Sequence, residues 1–325
     1  MSEVTLDENW DAEQLRLNAS FLQSFGWALF QQSLGVPYYA FRGENWSAIC
    51  FEHVTPAGKY WLVPYGPTVS NEEALKMAVK ELKAAAKSHA VHWLRIEPLK
   101  PIADIKALDQ DIKAAPQHIN PKFSIVSLLD DEESMRSRLT PNKRNLINRG
   151  TSRGLQFRAT RDPKDMKLFI DMLRVTEERT KSRSHPDDYY QKQAEVLMPR
   201  GMMELNLAYG PENQVLAATV LNNFGGVISR VYASSYPEAR KFEAGVGLDW
   251  FTMLRAKDQG MKEFDFYGAA PINAPEDHPW AGFTKYKSEF GGNHEERAGT
   301  WDLPLSKARY KLYLATRLAK KKLRR

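Results

Sequence analysis

At 325 residues, 42% hydrophobic and 26% charged, the chain has the composition of a folded globular protein with room for about two domains, which excludes the disordered and fibrous classes. The net charge is +6, but residues 136–161 hold eight Lys or Arg and the last twenty residues hold nine, neither stretch with an acid; outside these seventeen, 29 basic groups face 40 acidic ones. Such local fields of one sign suit phosphate-bearing partners, whether nucleic acid, anionic lipid or nucleotide-linked substrates.

No run approaches the roughly 18 to 20 apolar residues of a membrane span, and "MSEVTLDENWDAEQ" lacks the basic and apolar regions of a secretory signal, so a cytoplasmic location is expected. The single cysteine, Cys50, cannot form an intramolecular disulfide and reads as a small buried hydrophobe. Trp27, in "QSFGW", reads as a core residue. "YWLVPYGP" is a strand ending in a turn. Ser70-Asn71-Glu72-Glu73 then forms a capping box, and Leu75, Val79, Leu82 and Ala86 recur at helical spacing, which predicts a helix over 72–88. "VHWLRIEP" follows as an apolar strand closed by Pro98.

A boundary is expected near residue 130. Beyond it lie the basic segment, with Pro141 ahead of it, and a helix opened by Asp162-Pro163 with Met166, Phe169, Ile170 and Leu173 on its apolar face. "QVLAATVLNNFGGVISRVYASS" reads as a hairpin turning at Gly225-Gly226, and a helix over 244–259 carries Leu248, Phe251 and Leu254 on one face. "KEFDFYGAAP" is a strand ending in a Gly/Pro turn. Strand, turn, helix, strand thus occurs twice, which points to a duplicated α/β unit with mostly antiparallel sheets and a cleft between the halves. "WAGFTKYKSEFGG", residues 280–292, reads as a loop that holds lysines at fixed offsets from aromatic rings. From residue 306 a helix is expected, with Tyr310, Leu314 and Leu318 on one side.

Several chemistries are disfavoured. HExxH is absent and one cysteine allows no CxxC. His89 and His92 straddle a helix end, where ordinary hydrogen bonding explains them. Gly150-Thr151-Ser152-Arg153-Gly154 has the letters of a hydrolase elbow, but the preceding "NKRNLINR" is not an apolar strand. Gly245-Val246-Gly247 at a helix start matches the pyrophosphate loop of acetyl-CoA-dependent N-acyltransferases only in part, because Phe242 stands where Gln or Arg is usual.

Five segments, "FLQSFGWALFQQSLGVPYYAF", "YGPTV" with "LRIEP", "SRLTPNKRNLINRGTSRGLQF", "RVYASSYPEARKFEAGVGLDWFTMLRAKDQGMKEFDFYGAAP" and "KYKSEFGG", together resemble the FemABX peptidyltransferases, in the family's order from about residue 20 to 292. The resemblance implies an α/β (α+β) fold of two tandem GNAT-like N-acyltransferase domains, 1–130 and 131–302, with the C-terminal helix of 303–325 packing back on the first. It implies transfer of an aminoacyl group from aminoacyl-tRNA to the stem-peptide amine of a peptidoglycan precursor, with no cofactor and no metal. Lacking the long heptad insertion of some members, the chain is expected to be a monomer.

The family's aromatic-lysine pattern falls on Tyr286-Lys287-Ser288-Glu289-Phe290-Gly291, with Tyr286 where Phe is commoner. Family members use that lysine near the tRNA acceptor end and the tetrahedral intermediate. Aminolysis of an ester needs positioning, oxyanion stabilisation and an amine that has lost its proton, and a free alkyl amine has a pKa of about 10.4. Glu97 and Asp265, at strand ends, are therefore candidate bases, Glu97 slightly favoured. Arg179, Arg183, Tyr189 and Tyr232 are candidate contacts to the precursor. Lys143, Arg144, Arg149, Lys320, Lys321 and Lys322 are candidates for tRNA or an anionic surface, the tail allowing contact with the inner face of the cell membrane. Two rivals stand beside this reading: an acyl-carrier-dependent N-acyltransferase, and a non-catalytic RNA- or membrane-binding protein.

Overall fold

The structure, a computed structural model, describes residues 1–181 and 183–323, with side chains as far as Ala319. It divides into two compact units, Met1–Lys122 with Glu296–Arg325, and Phe123–Glu295. The first contains β1 (Ser2–Val4), α1 (Trp10–Arg16), α2 (Phe25–Ser33), β2 (Tyr38–Gly43), β3 (Trp46–Thr55), β4 (Gly58–Val63), β5 (Thr68–Val69), α3 (Glu72–Ser88), β6 (Trp93–Ile96) and β7 (Lys113–Ala114). The second runs through β8 (Phe123–Leu128), α4 (Glu132–Arg138), α5 (Pro141–Ser152), β9 (Gln156–Thr160), α6 (Met166–Thr180), α7 (Asp187–Leu197), β10 (Met203–Tyr209), β11 (Val215–Phe224), β12 (Val227–Ser235), α8 (Ala239–Phe242), α9 (Ala244–Asp258), β13 (Glu263–Asp265), α10 (Ala281–Ser288) and β14 (Asn293–Glu296). The chain then returns to the first unit as β15 (Trp301–Pro304) and α11 (Lys307–Leu323).

The first sheet is ordered β1-β2-β3-β4-β6-β15-β7, with β5 beside β3, and the second β14-β8-β13-β12-β11-β10-β9. β4 and β6 run parallel, as do β12 and β13, so strand, helix, parallel strand occurs once in each unit, as β4-α3-β6 and β12-α9-β13. The chain enters the second unit at Phe123, ahead of residue 130, because β8 pairs with β13. It leaves at Glu296, ahead of residue 302, because β15 pairs with both β6 and β7.

α3 covers the predicted 72–88, and its apolar stripe, Leu75, Val79, Leu82 and Ala86, is buried against Phe41, Trp46, Trp61 and Leu94. Each such side chain contributes about 1.5 to 3 kcal/mol of burial for a residue of leucine size. Its cap differs from the expected box. Asn71 is the N-cap, its Oδ1 accepting from the Ala74 amide at 2.8 Å, while the Ser70 amide donates to the Asn45 carbonyl.

A buried polar cluster holds the C-terminal segment to the first sheet. Arg95 of β6 donates from Nε to Asp302 Oδ1 at 2.6 Å and from Nη2 to Oδ2 at 2.7 Å, and both side chains are almost wholly inaccessible. Tyr310 of α11 donates to the same carboxylate, and the Tyr313 hydroxyl accepts from Arg95. The packed side of α11 is therefore Tyr310, Tyr313 and the half-buried Leu314; Leu318, expected there, is 63% exposed.

Candidate active site

Within the segment 280–292, where a loop was expected, Ala281–Ser288 form the helix α10, which carries Tyr286 and Lys287 in its last turn. Thr284 fixes this helix to the turn after β13, its hydroxyl accepting from the Ala270 amide and donating to the Trp280 carbonyl, each at 2.8 Å. The glycines that follow allow close packing. Gly291 has φ +80°, and a Cβ there would lie 2.5 Å from the Cβ of Arg138, so only glycine ends this helix against α4.

Lys287 is 9% exposed, and its Nζ donates to the main-chain carbonyls of Tyr267 and Gly268. These two residues have φ +52° and +69°. A tyrosine in the left-handed region is unfavourable by about 1 to 2 kcal/mol, and here the strained turn supplies two acceptors to one ammonium. Burial first and Arg230 second lower the Lys287 pKa to about 7, with the carboxylates of Asp265 and Asp249 opposing the shift. An ammonium has three donors. With two engaged by carbonyls, the third position is a donor when the group is charged and a lone pair when it is neutral.

Around Lys287 stands a buried polar group. The Tyr286 hydroxyl donates to Asp249 Oδ2 at 2.8 Å, and Arg230 Nε lies 3.5 Å from Asp249 Oδ1. Burial, with Asp249 next, pushes the Tyr286 phenol well above its usual value, so it remains a neutral donor. Asp265, 4% exposed, accepts from the Ser124 hydroxyl and, at 2.8 Å, from the Tyr267 amide, which ties it to the turn that holds Lys287.

Glu97 is in the other unit and is saturated. Its carboxylate accepts from the amides of Ile119 and Asn120, from Asn120 Nδ2 at 2.6 Å and from the Thr300 hydroxyl. At 2% exposure, with these donors on both oxygens, it clamps a loop and is not a free base. The preference for Glu97 is corrected accordingly.

Tyr189 and Tyr232 do meet. They share a hydrogen bond, burial pushes Tyr189 to about 12, and Tyr232 is raised well above the ordinary tyrosine range by burial and by neighbouring phenols that include Tyr267. Tyr189 also stacks on His185, with ring centroids 3.9 Å apart. Arg179 and Arg183 are exposed, at the end of α6 and in the segment after it.

The phosphate-binding assignments fare unevenly. Lys143 is 1% exposed, with Nζ 3.9 Å from the centre of the Tyr286 ring and 3.1 Å from Glu289 Oε2; it supports the site from beneath and cannot reach a phosphate. Arg144 is folded back on α4, donating to the Leu139 carbonyl at 2.6 Å, so it caps a helix end. Arg149 is exposed and pairs with Glu243. The side chains of Lys320, Lys321 and Lys322 lie outside the described residues.

Residues not singled out from the sequence complete the site: Arg230, Asp249, Ser124 and Tyr267. Asp249 had a signal, being an acid between Leu248 and Trp250 on a helix buried nearly all round. Ser152 is helical, its hydroxyl donating to the Arg149 carbonyl, which removes the elbow reading. A Cβ on Gly247 would lie 3.0 Å from the Phe157 ring, so this glycine serves the packing of α9 on the sheet. Among the described residues no cluster of three or more His, Cys, Asp or Glu could hold a metal, and no helix is long and apolar enough to cross a membrane.

No curated protein matches the chain in sequence. Among solved structures it is similar to FemX, with a TM-score of 0.84 and 17% identity over 96% of this chain and 99% of that one. It also resembles the C-terminal domain of a putative lysylphosphatidylglycerol synthetase from Agrobacterium fabrum (TM-score 0.58, 13% identity, 94% and 96% covered). A tandem GNAT protein from the clavulanic acid biosynthesis pathway is similar too (TM-score 0.54, 11% identity, 93% and 97% covered). At these identities the likenesses establish the fold, two GNAT-like units in one chain. Residues 200–320, which include Arg230, Asp249, Asp265, Tyr286 and Lys287, match the model of the FemAB family.

Proposed function

We propose that the chain is an aminoacyltransferase that moves an amino acid from aminoacyl-tRNA to the side-chain amine of the stem peptide in a peptidoglycan precursor, lipid-linked or nucleotide-linked, in the bacterial cytoplasm. The observation that carries this reading is Lys287: a buried amine on two carbonyls, at the lysine of the family's aromatic-lysine pattern, inside the matched segment. Charged tRNA is a co-substrate, and the reading includes no further cofactor.

The acceptor amine attacks the ester carbonyl, a C–N bond forms and the carbonyl oxygen becomes an oxyanion. The C–O bond to the ribose then breaks, and the ribose oxygen takes up the proton that the attacking nitrogen gives up. A preorganised cation beside the oxyanion stabilises it, and a single donor of this kind is worth about 2.7 to 4 kcal/mol. In its ammonium form Lys287 supplies that donor from its third position. Asp265 and Asp249 keep the charged form populated near neutrality. Asp265 acts through the Tyr267 amide and the Lys287 charge, a positioning role in place of general base. The exposed Arg179 and Arg183 suit the phosphates and carboxylates of the precursor, and Tyr189 and Tyr232 the peptide beside them.

Transfer of a labelled amino acid from charged tRNA to the precursor tests the reading. Loss of transfer after RNase treatment is expected, and transfer that survives RNase would reject the donor. Acetyl-CoA binding would favour the rival enzyme, against which the packing role of Gly247 already weighs.

A further inference from the structure

The two acid-free basic runs have different surroundings. In residues 136–161 most of the cations have partners: Arg138 with Asp130, Lys143 with Glu289, Arg149 with Glu243, Arg158 with Asp165 and Arg161 with Glu204, while Arg144 is bound to carbonyls. In α11 the described cations are Lys307, paired with Asp111, Arg317, which donates to Gln117 and Tyr313, and the exposed Arg309 and Lys311. No acid follows Asp302 in the sequence, and five more Lys or Arg follow Ala319.

The outward side of this basic helix is apolar. Ala308, Leu312, Ala315 and Ala319 succeed one another at four, three and four residues, a single stripe on a helix, with Leu318 along its border. All five are exposed, Leu312 by 45% and Leu318 by 63%, while Tyr310 and Tyr313 hold the opposite side to the sheet. A solvated face would be polar here, and a face that only grips nucleic-acid phosphates has no use for leucines. An apolar stripe bordered by cations matches the boundary between headgroups and acyl chains of an anionic membrane. A second copy of the helix would bring like charge against like charge.

We propose that the outer face of α11 is a docking surface for an anionic phospholipid membrane, with Leu312 and Leu318 entering the acyl boundary and the flanking Lys and Arg meeting lipid phosphates. This assignment is independent of the proposed transfer. Flotation of the full chain with vesicles tests it, using phosphatidylcholine alone or mixed with phosphatidylglycerol. Binding to the mixed vesicles only is expected, and the double variant Leu312→Glu/Leu318→Glu should bind at least about tenfold more weakly. Both positions are exposed, so an unchanged melting temperature should accompany the loss, and a gel-shift with tRNA should be little altered. Absence of flotation, or a double variant that floats like the wild type, overturns the proposal. Loss of tRNA binding in a protein that never floats would assign the face to RNA instead.

Discussion

Glu97 and Asp265 occupy equivalent places in the two units, each at the end of the strand that follows a helix and runs parallel to the strand before it. Their surroundings set them apart. Glu97 receives donors from the 119–120 loop and from Thr300, and so ties these two segments to the end of β6. Asp265 accepts from Ser124 and from the Tyr267 amide, which belongs to the turn that holds Lys287, and its charge bears on Lys287. One topological position thus serves as a clamp in the first unit and as part of the buried polar cluster around Lys287 in the second. A carboxylate at a strand end is only a starting point; what its oxygens already accept decides what it can do.

The sharpest way to break this contrast is Lys287→Met. Transfer by the folded variant should fall by about 10²- to 10³-fold in single-turnover experiments. A residual rate near wild type would remove the cluster from the chemistry. Glu97→Ala should act in the opposite sense, lowering stability by about 1 to 3 kcal/mol in urea unfolding through its stranded donors, while the folded protein retains its rate.

The pH profile sharpens the comparison further. Because the lysine's pKa is depressed to about 7, the ammonium is lost as pH rises through that value, and kcat/KM governed by an oxyanion donor, once corrected for deprotonation of the acceptor amine, should descend there. A corrected rate that rises through pH 7 would assign the neutral Lys287 amine as a base instead. Asp265→Asn removes a negative charge that favours the ammonium, so the descent should move to lower pH, whereas Glu97→Gln should not shift it. The smallest effect is expected from Tyr286→Phe, which deletes the hydroxyl on Asp249 and should cost about 1 kcal/mol of stability, with a modest change in rate.

The same depression of the Lys287 pKa has a consequence for folding. The unfolded chain binds that proton up to about pH 10.4, and the folded chain releases it near 7, so between these values stability rises with pH on account of this group. Urea unfolding of wild type and Lys287→Met over that range should diverge with this sign.

The repeated strand-helix-strand order was legible because periodicity is local: the stripe of α3 and the hairpin at Gly225-Gly226 are both written in consecutive residues. The aromatic-lysine pattern was legible for the same reason, though its helical state was not, since glycines at 291 and 292 suggest a loop until the backbone of Arg138 and the Ile125 side chain are seen pressing on them. Basic residues 136–161 looked like a phosphate-binding field because the acids that pair with most of them lie elsewhere in the chain.

The sequence by itself determined the two α/β units, the buried stripes of their helices and the family pattern around Lys287, because each depends on spacing along the chain. Only the tertiary structure decided that Glu97 is saturated, that Lys143 is buried under Tyr286, and that Arg230 and Asp249 join Lys287. Hydrogen-bond saturation and desolvation are set by residues far apart in sequence, and these two quantities separate a reactive side chain from a structural one.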